Sequence, residues 1–130
     1  MILDTAFIID LMKEERSAVT KLREMERDKI AQNIASPTLY ELYVGITLST
    51  KPEKEKKKVI DTLISMDILS LDAKSAAKAG EVQGKLINEG RMIDPEDAMI
   101  AGIALLNNET ILTKNVEHFS RIRGLKIETY

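Results

Sequence analysis

The sequence predicts an α/β protein: a parallel, doubly wound sheet with helices on both faces. Three observations carry that expectation. Short apolar runs alternate along the chain with longer helical segments, the pattern that builds parallel sheets. The opening run Met1-Ile2-Leu3 is apolar without alternation, as in a central strand covered on both sides. Polar residues then fall where the runs end and helices begin: Asp4, Glu41 and Asp97, with Asn115 in the same position after Ile111-Leu112-Thr113. In an open parallel sheet the C-terminal strand ends converge on one crevice. Carboxylates gathered there point to a hard-cation site and metal-assisted chemistry.

The elements follow in order. Residues 1–4 form a short buried strand, 5–12 and 17–28 are helices, and 33–35 are a brief second strand. Ser36 and Pro37 start a helix over 37–48, with Ser36 as N-cap and Pro37 at the first position, where the missing N–H costs nothing. Residues 52–65 are helical, and 68–70 form a third strand. A long helix over 72–89 stops at Gly90, and another spans 95–107. Strands at 111–113 and 126–129 flank a short helix over 115–122.

At 130 residues the chain suits one domain over 1–130, and a hydrophobic content of 44% is enough for one core. No stretch approaches the roughly 18 apolar residues that span a bilayer. Met1-Ile2-Leu3-Asp4 has no basic n-region, so the expectation is a cytoplasmic protein without a signal peptide. The absence of cysteine excludes disulfides, thiolate metal sites and a cysteine nucleophile. His118 is the only histidine, which excludes multi-histidine metal sites. The net charge of −2 neither advertises nor forbids a nucleic-acid partner. The charge run Lys51 to Lys58 reads as an exposed first helical turn.

Asp97 is the sharpest acidic position. Asp97, Ile100, Ala101, Ala104 and Leu105 share one helical face, so an acid heads the most apolar face of the protein. Burying an unpaired carboxylate is costly, and this one needs a partner. The plain alternative is a capping role in the first turn of a helix begun by Asp94 and Pro95. Glu41 shares a face with Val44, Gly45 and Leu48; its alternative is a capping box, Thr38-x-x-Glu41. Asp4 could cap the next helix. Asp94 reads as an N-cap before it reads as a ligand. Asn115 either caps or supplies an amide oxygen to a cation, and Thr113 could hydrogen-bond a site carboxylate. Asp10 is expected at the rim, paired with a base. His118 is expected at the surface or half-buried.

Four segments taken together resemble the PIN-domain family, and within it the VapC-type toxin ribonucleases. They are Leu3-Asp4-Thr5-Ala6-Phe7-Ile8-Ile9-Asp10, Ala35-Ser36-Pro37-Thr38-Leu39-Tyr40-Glu41-Leu42, Ile93-Asp94-Pro95-Glu96-Asp97-Ala98-Met99-Ile100-Ala101-Gly102, and Ile111-Leu112-Thr113-Lys114-Asn115-Val116-Glu117-His118-Phe119. No one motif is specific; the ordered set is. The resemblance implies a single PIN domain over 1–130 with a five-stranded parallel sheet flanked by helices. It implies an acidic site that holds Mg²⁺ or Mn²⁺ and cleaves RNA. It also implies a homodimer and a cognate VapB-type antitoxin that enters the active-site groove. By position Asp4, Glu41 and Asp97 match the family's three core acids. Asn115 matches a fourth position that is Asp in some members, and its lack of charge weakens the case for a second metal.

On that reading Asp4 and Asp97 bind the metal directly, and Glu41 binds through water or acts as the base. Asp94 is a further candidate ligand, and Thr5 and Thr113 support the acids. Lys85, Arg91 and Lys114 are candidate phosphate contacts. Three tyrosines and two phenylalanines give little basis for a base-stacking platform. Two rival readings are a PIN nuclease of RNA processing without an antitoxin, and a non-catalytic α/β module with an acidic pocket.

Overall fold

The computed structural model describes residues 1–130. Its elements run β1 (Ile2–Leu3), α1 (Thr5–Met12), α2 (Arg16–Arg27), β2 (Asn33–Ala35), α3 (Ser36–Leu48) and α4 (Pro52–Leu63). They continue with β3 (Asp67–Leu69), α5 (Ala73–Asn88), α6 (Pro95–Leu106), β4 (Thr110–Leu112), α7 (Val116–Phe119) and β5 (Lys126–Glu128). The strands form one five-stranded sheet in the order β3-β2-β1-β4-β5. Every neighbouring pair is parallel. The expected α/β class, the parallel sheet and its five strands are all present.

Strand pleating divides the core. Successive residues of a strand point to opposite faces. Ile2, Ala35 and Ile111 therefore enter one cluster, with Leu86, Ile100, Ile103 and Phe119 from α5, α6 and α7. Leu3, Ile34 and Leu112 enter the other, with Phe7, Ile8, Met25 and Val59 from α1, α2 and α4. Ile2 and Leu3 are both fully buried, which is why β1 shows no polar alternation. Strand order reverses at β1, since β2 lies on one side and β4 on the other. That reversal opens the crevice between the ends of β1 and β4.

Local sequence explains most boundaries. Asp72 caps α5 through a reciprocal box: its carboxylate accepts from Ser75 N, and Ser75 Oγ accepts from Asp72 N, both at 2.9 Å. The chain turns at Gly90, whose φ of 72° favours glycine. Other expectations need correction. Ser36 is the first residue of α3 and not its N-cap; Ala35 holds that place. The Ser36 hydroxyl instead accepts from Leu71 N at 2.9 Å and ties the segment after β3 to α3. Asp94 occupies the N-cap position of α6, but its side chain makes no capping hydrogen bond. The capping box Thr38-x-x-Glu41 does not form, because Glu41 lies six positions into α3 and both side chains turn to Thr5. α7 ends at Phe119, short of the expected 122, and Ile122 is buried after the helix has ended. No helix is long and apolar enough to cross a membrane.

Helices α5 and α6 meet most closely at Gly102. A Cβ built there would lie 2.6 Å from Ser75 O and 2.8 Å from Ala79 N, so backbone would have to move. Gly102→Ala is expected to destabilise the protein by about 1–3 kcal/mol through overpacking. Urea denaturation measures this, and an unchanged midpoint would show that the two helices separate freely.

Candidate active site at the end of the central strands

Asp4 follows β1 directly and lies at the switch point. It is 5% exposed. Its Oδ1 accepts from Phe7 N at 2.9 Å, so it caps α1 as one of the two readings expected. Its Oδ2 accepts from the Thr113 hydroxyl, which is fully buried after β4. Thr113 Oγ1 in turn accepts from Asn115 N at 2.8 Å. Burial pushes the Asp4 carboxyl up; the bonds from Thr113 and Phe7 oppose this, and the charge of Asp10 adds to it.

Glu41 reaches the same crevice from α3. Thr5 Oγ1 lies 3.1 Å from Glu41 Oε1 and 3.1 Å from Thr38 Oγ1. A hydroxyl has one proton, so Thr5 donates to the carboxylate and accepts from Thr38. The Glu41 carboxyl is pushed up by burial, against the Thr5 bond, and by the charges of Glu96, Asp4 and Asp94.

Asp97 sits in the first turn of α6, with a side chain 21% exposed. Its carboxyl is pushed up to about 6, by burial first and then by the charge of Asp94. His118 opposes that rise, while Asp4 and Glu41 reinforce it. Asn115 Nδ2 donates to Asp97 Oδ2 at 3.4 Å and lies 3.0 Å from His118 Nδ1. The imidazole Nδ1 is 3.9 Å from Asp97 Oδ2.

The crevice thus brings Asp4, Glu41, Asp97 and Asn115 together, with Thr5 and Thr113 each bonded to one of the acids. Asp94 is exposed beside them and acts on Asp97 through its charge. Asp10 stands at the rim as expected: it binds Lys114 Nζ at 3.1 Å and Tyr130 OH at 2.7 Å. The lysine also lies 4.6 Å from the centre of the Tyr130 ring. Lys114 is therefore held by Asp10, which competes with any phosphate for it. Lys85 lies in a separate cleft with Lys78, Arg121 and Arg123. His118 is half-buried, as expected; its spacing of three from Asn115 brings it beside that amide and so near Asp97. Thr38 was read only as half of a capping box, and nothing local signalled Tyr130.

The donor set is chemically suited to a hard cation. It consists of oxygen ligands, it is electrostatically frustrated, and no lysine or arginine pairs with Asp4, Glu41 or Asp97. As the side chains lie, no three acidic or imidazole groups are close enough to share one ion.

Fold and site define a class: an open parallel α/β protein with an acid crevice at its switch point. Residues 1–125 match the family model of the PIN domain, and the chain belongs to the PIN-domain family. It is 32% identical to the tRNA(fMet)-specific endonuclease VapC of Shigella flexneri, over 98% of this chain and 96% of that protein. It is 33% identical to ribonuclease VapC2 of Rickettsia felis over 75% of this chain and 72% of that protein. Among solved structures it resembles VapBC2 of Rickettsia felis bound to a promoter DNA fragment, with a TM-score of 0.91 and 29% identity. That match covers 99% of this chain and 97% of the other. DNA-bound VapBC of Salmonella typhimurium superposes with a TM-score of 0.89 at 29% identity, covering 98% and 96% of the two chains.

The raised carboxyl of Asp97 has a defined consequence for stability. Its folded value, about 6, exceeds the unfolded value of 3.8, so the native state holds the extra proton between them. Stability contributed by that proton is present below the unfolded value and is lost as pH rises through the folded one. With EDTA present, Asp97→Asn should therefore be more stable than the parent at pH 7, by roughly 1–3 kcal/mol, and the gain should vanish below about pH 4. Urea unfolding at both pH values measures it; a variant less stable at pH 7 would contradict the assigned repulsion.

Proposed function

We propose that this chain is a metal-dependent endoribonuclease, the toxin of a VapBC-type pair, using Asp4, Glu41 and Asp97 as its acids. The observation that carries this is a trio of carboxylates around one crevice, all displaced upward by burial and, for Glu41 and Asp97, by the charge of neighbouring acids, in a PIN-domain chain whose VapC relatives match nearly end to end. RNA hydrolysis is the activity, and a metal ion is its requirement. Mg²⁺ or Mn²⁺ is the proposed ion, because carboxylate oxygens suit hard cations that keep some of their waters.

Asp4 and Asp97 are the proposed direct ligands, with Asp94 close enough to assist Asp97. When bound, the cation supplies charge neutralisation at the phosphate and lowers the pKa of the attacking water. Thr113 and Phe7 N hold Asp4 in one rotamer, and each carboxylate oxygen keeps a free lone pair for the crevice. Thr5 orients Glu41, whose raised carboxyl suits it to take a proton from water. Asn115 supports Asp97 through its amide. A neutral residue there leaves three acids, which favours one tightly held ion over two.

The solved VapBC neighbours contain an antitoxin as well as the toxin, and a VapB-type partner is proposed here too. A homodimer is proposed on family grounds. The tRNA(fMet) in the names of the Shigella and Salmonella relatives makes initiator tRNA the first RNA to assay.

Purified protein should cleave RNA only with Mg²⁺ or Mn²⁺ and stop when EDTA is added. Asp4→Asn and Asp97→Asn should each lose more than roughly 100-fold in rate, beyond the 10- to 100-fold typical of residues that only support a metal's ligands. Circular dichroism checks that both remain folded. Full activity in both variants, or cleavage that survives EDTA, would overturn the assignment.

A further inference from the structure

Beside the acids runs a groove lined by Ser36, Pro37, Tyr40, Leu71, Glu96 and Met99. We propose that this groove binds an unpaired nucleobase of the substrate, next to the phosphate that lies at the acids. The inference rests on the ribonuclease reading and names how that site recognises its substrate.

Position is the first argument. Tyr40 directly precedes Glu41 and Glu96 directly precedes Asp97, so each wall is one residue from an acid. The charge of Glu96 acts on the Glu41 carboxyl, which places the two acids within electrostatic reach. The Glu96 wall of the groove therefore adjoins the Glu41 side of the crevice, so that a nucleotide entering there can turn its base toward the groove.

Chemistry is the second. Tyr40 is 65% exposed although α3 is packed against the sheet through Leu42 and Ile46. Exposing a large ring this far leaves its flat face available, and bases stack on such faces whatever their sequence. Pro37, Leu71 and Met99 supply apolar walls. Glu96 is the one charged group in the lining, and no basic side chain pairs with it. An ionised carboxylate only accepts hydrogen bonds, so it suits the amino or imino edge of a base.

Charge then selects among occupants. The groove contains no cation, and Glu96 repels phosphate and acidic peptides alike. With the proposed cation offsetting the acids, the nucleic-acid backbone is directed to the crevice and the uncharged base to the groove. Sequence-reading RNA proteins commonly splay out unpaired bases in this way, whereas paired bases cannot reach such a groove. The low aromatic content noted in the sequence is therefore no obstacle, because one suitably placed ring serves one base.

The test uses full-length protein with Mg²⁺ and a cleavable RNA carrying a single abasic site at each position flanking the cut. For the unaltered protein, removal of one particular base should raise KM by roughly 5- to 100-fold, the scale of one lost stacking contact, with kcat changed little. Tyr40→Ala should raise KM similarly on intact RNA and remove the penalty of that abasic site. Tyr40→Phe should restore both. Glu96→Gln should keep the stacking and alter which base is preferred. The proposal is overturned if Tyr40→Ala cleaves intact RNA normally, or if its effect and the abasic effect multiply independently. It is equally overturned if the only change is weaker antitoxin binding or an altered oligomeric state by size-exclusion chromatography, which would make the groove a protein-docking surface. If the unaltered protein cuts no RNA under any metal, the ribonuclease reading itself fails and this inference with it.

Discussion

The hydrogen bond from Thr113 to Asp4 joins the two strands whose separation creates the crevice. β1 and β4 pair in parallel with Leu3 opposite Leu112, so the next residues of each strand, Asp4 and Thr113, meet side by side. Both are buried, and a buried carboxylate without donors is costly. Thr113 supplies one donor and the first turn of α1 supplies the other, so the acid is tolerated only when sheet and helix are both in place. The same threonine accepts from Asn115 N, which fixes the segment after β4 and brings the Asn115 amide to Asp97. Forming the central sheet and forming the site are in that sense one event.

Around this point the fold works against electrostatics. Asp4, Glu41, Asp94 and Asp97 enter from three separate segments; Asp94, Asp4 and Glu41 each raise the Asp97 carboxyl, and Asp4 and Asp94 raise that of Glu41 as well. Such repulsion weakens the empty protein, and a bound cation would relieve it, an exchange of stability for function. The hydroxyls of Thr5 and Thr113 contribute directed hydrogen bonds without contributing charge. They orient Glu41 and Asp4 while leaving the negative field of the crevice in place. A lysine in either position would have neutralised the attraction for a metal.

The rim has a different character. Asp10, Lys114 and Tyr130 form a closed group in which the carboxylate holds both the ammonium and the phenol, and the Tyr130 ring packs edge-on to Phe7 at 4.7 Å. Hydrogen bonding from Tyr130 and Lys114 keeps the Asp10 carboxyl below its ordinary value, the reverse of the inner acids. Asp10 is thereby separated in role from Asp4, six residues earlier, although Asp4 caps α1 and Asp10 lies in its second turn. On the side of Tyr40 and Glu96 the rim is open and apolar with one unpaired acid, which is why base recognition is assigned there.

Much of this was legible in the chain. Apolar runs broken by helical segments specify a parallel sheet because only buried strands lack polar alternation, and the helical phase of Asp97 set that acid against the core beside Ile100, Ala101 and Ala104. The same reasoning failed for Glu41: Val44 and Leu48 of its face are 42% and 80% exposed, and α3 buries Leu42 and Ile46 instead. Local pattern failed where a side chain found a distant partner: Ser36 abandoned its cap for Leu71 N, and Thr38 left the expected capping box for Thr5. Lys114 is held by Asp10, and the four-residue helix α7 brings His118 to within 3.9 Å of Asp97. The sequence by itself determined the fold class and the family, because periodicity and strand-end chemistry are written in near neighbours. Which hydroxyl holds which acid, and which walls enclose the groove beside them, only the tertiary structure decided, because those contacts depend on strand order and register across residues as far apart as Asp4 and Thr113.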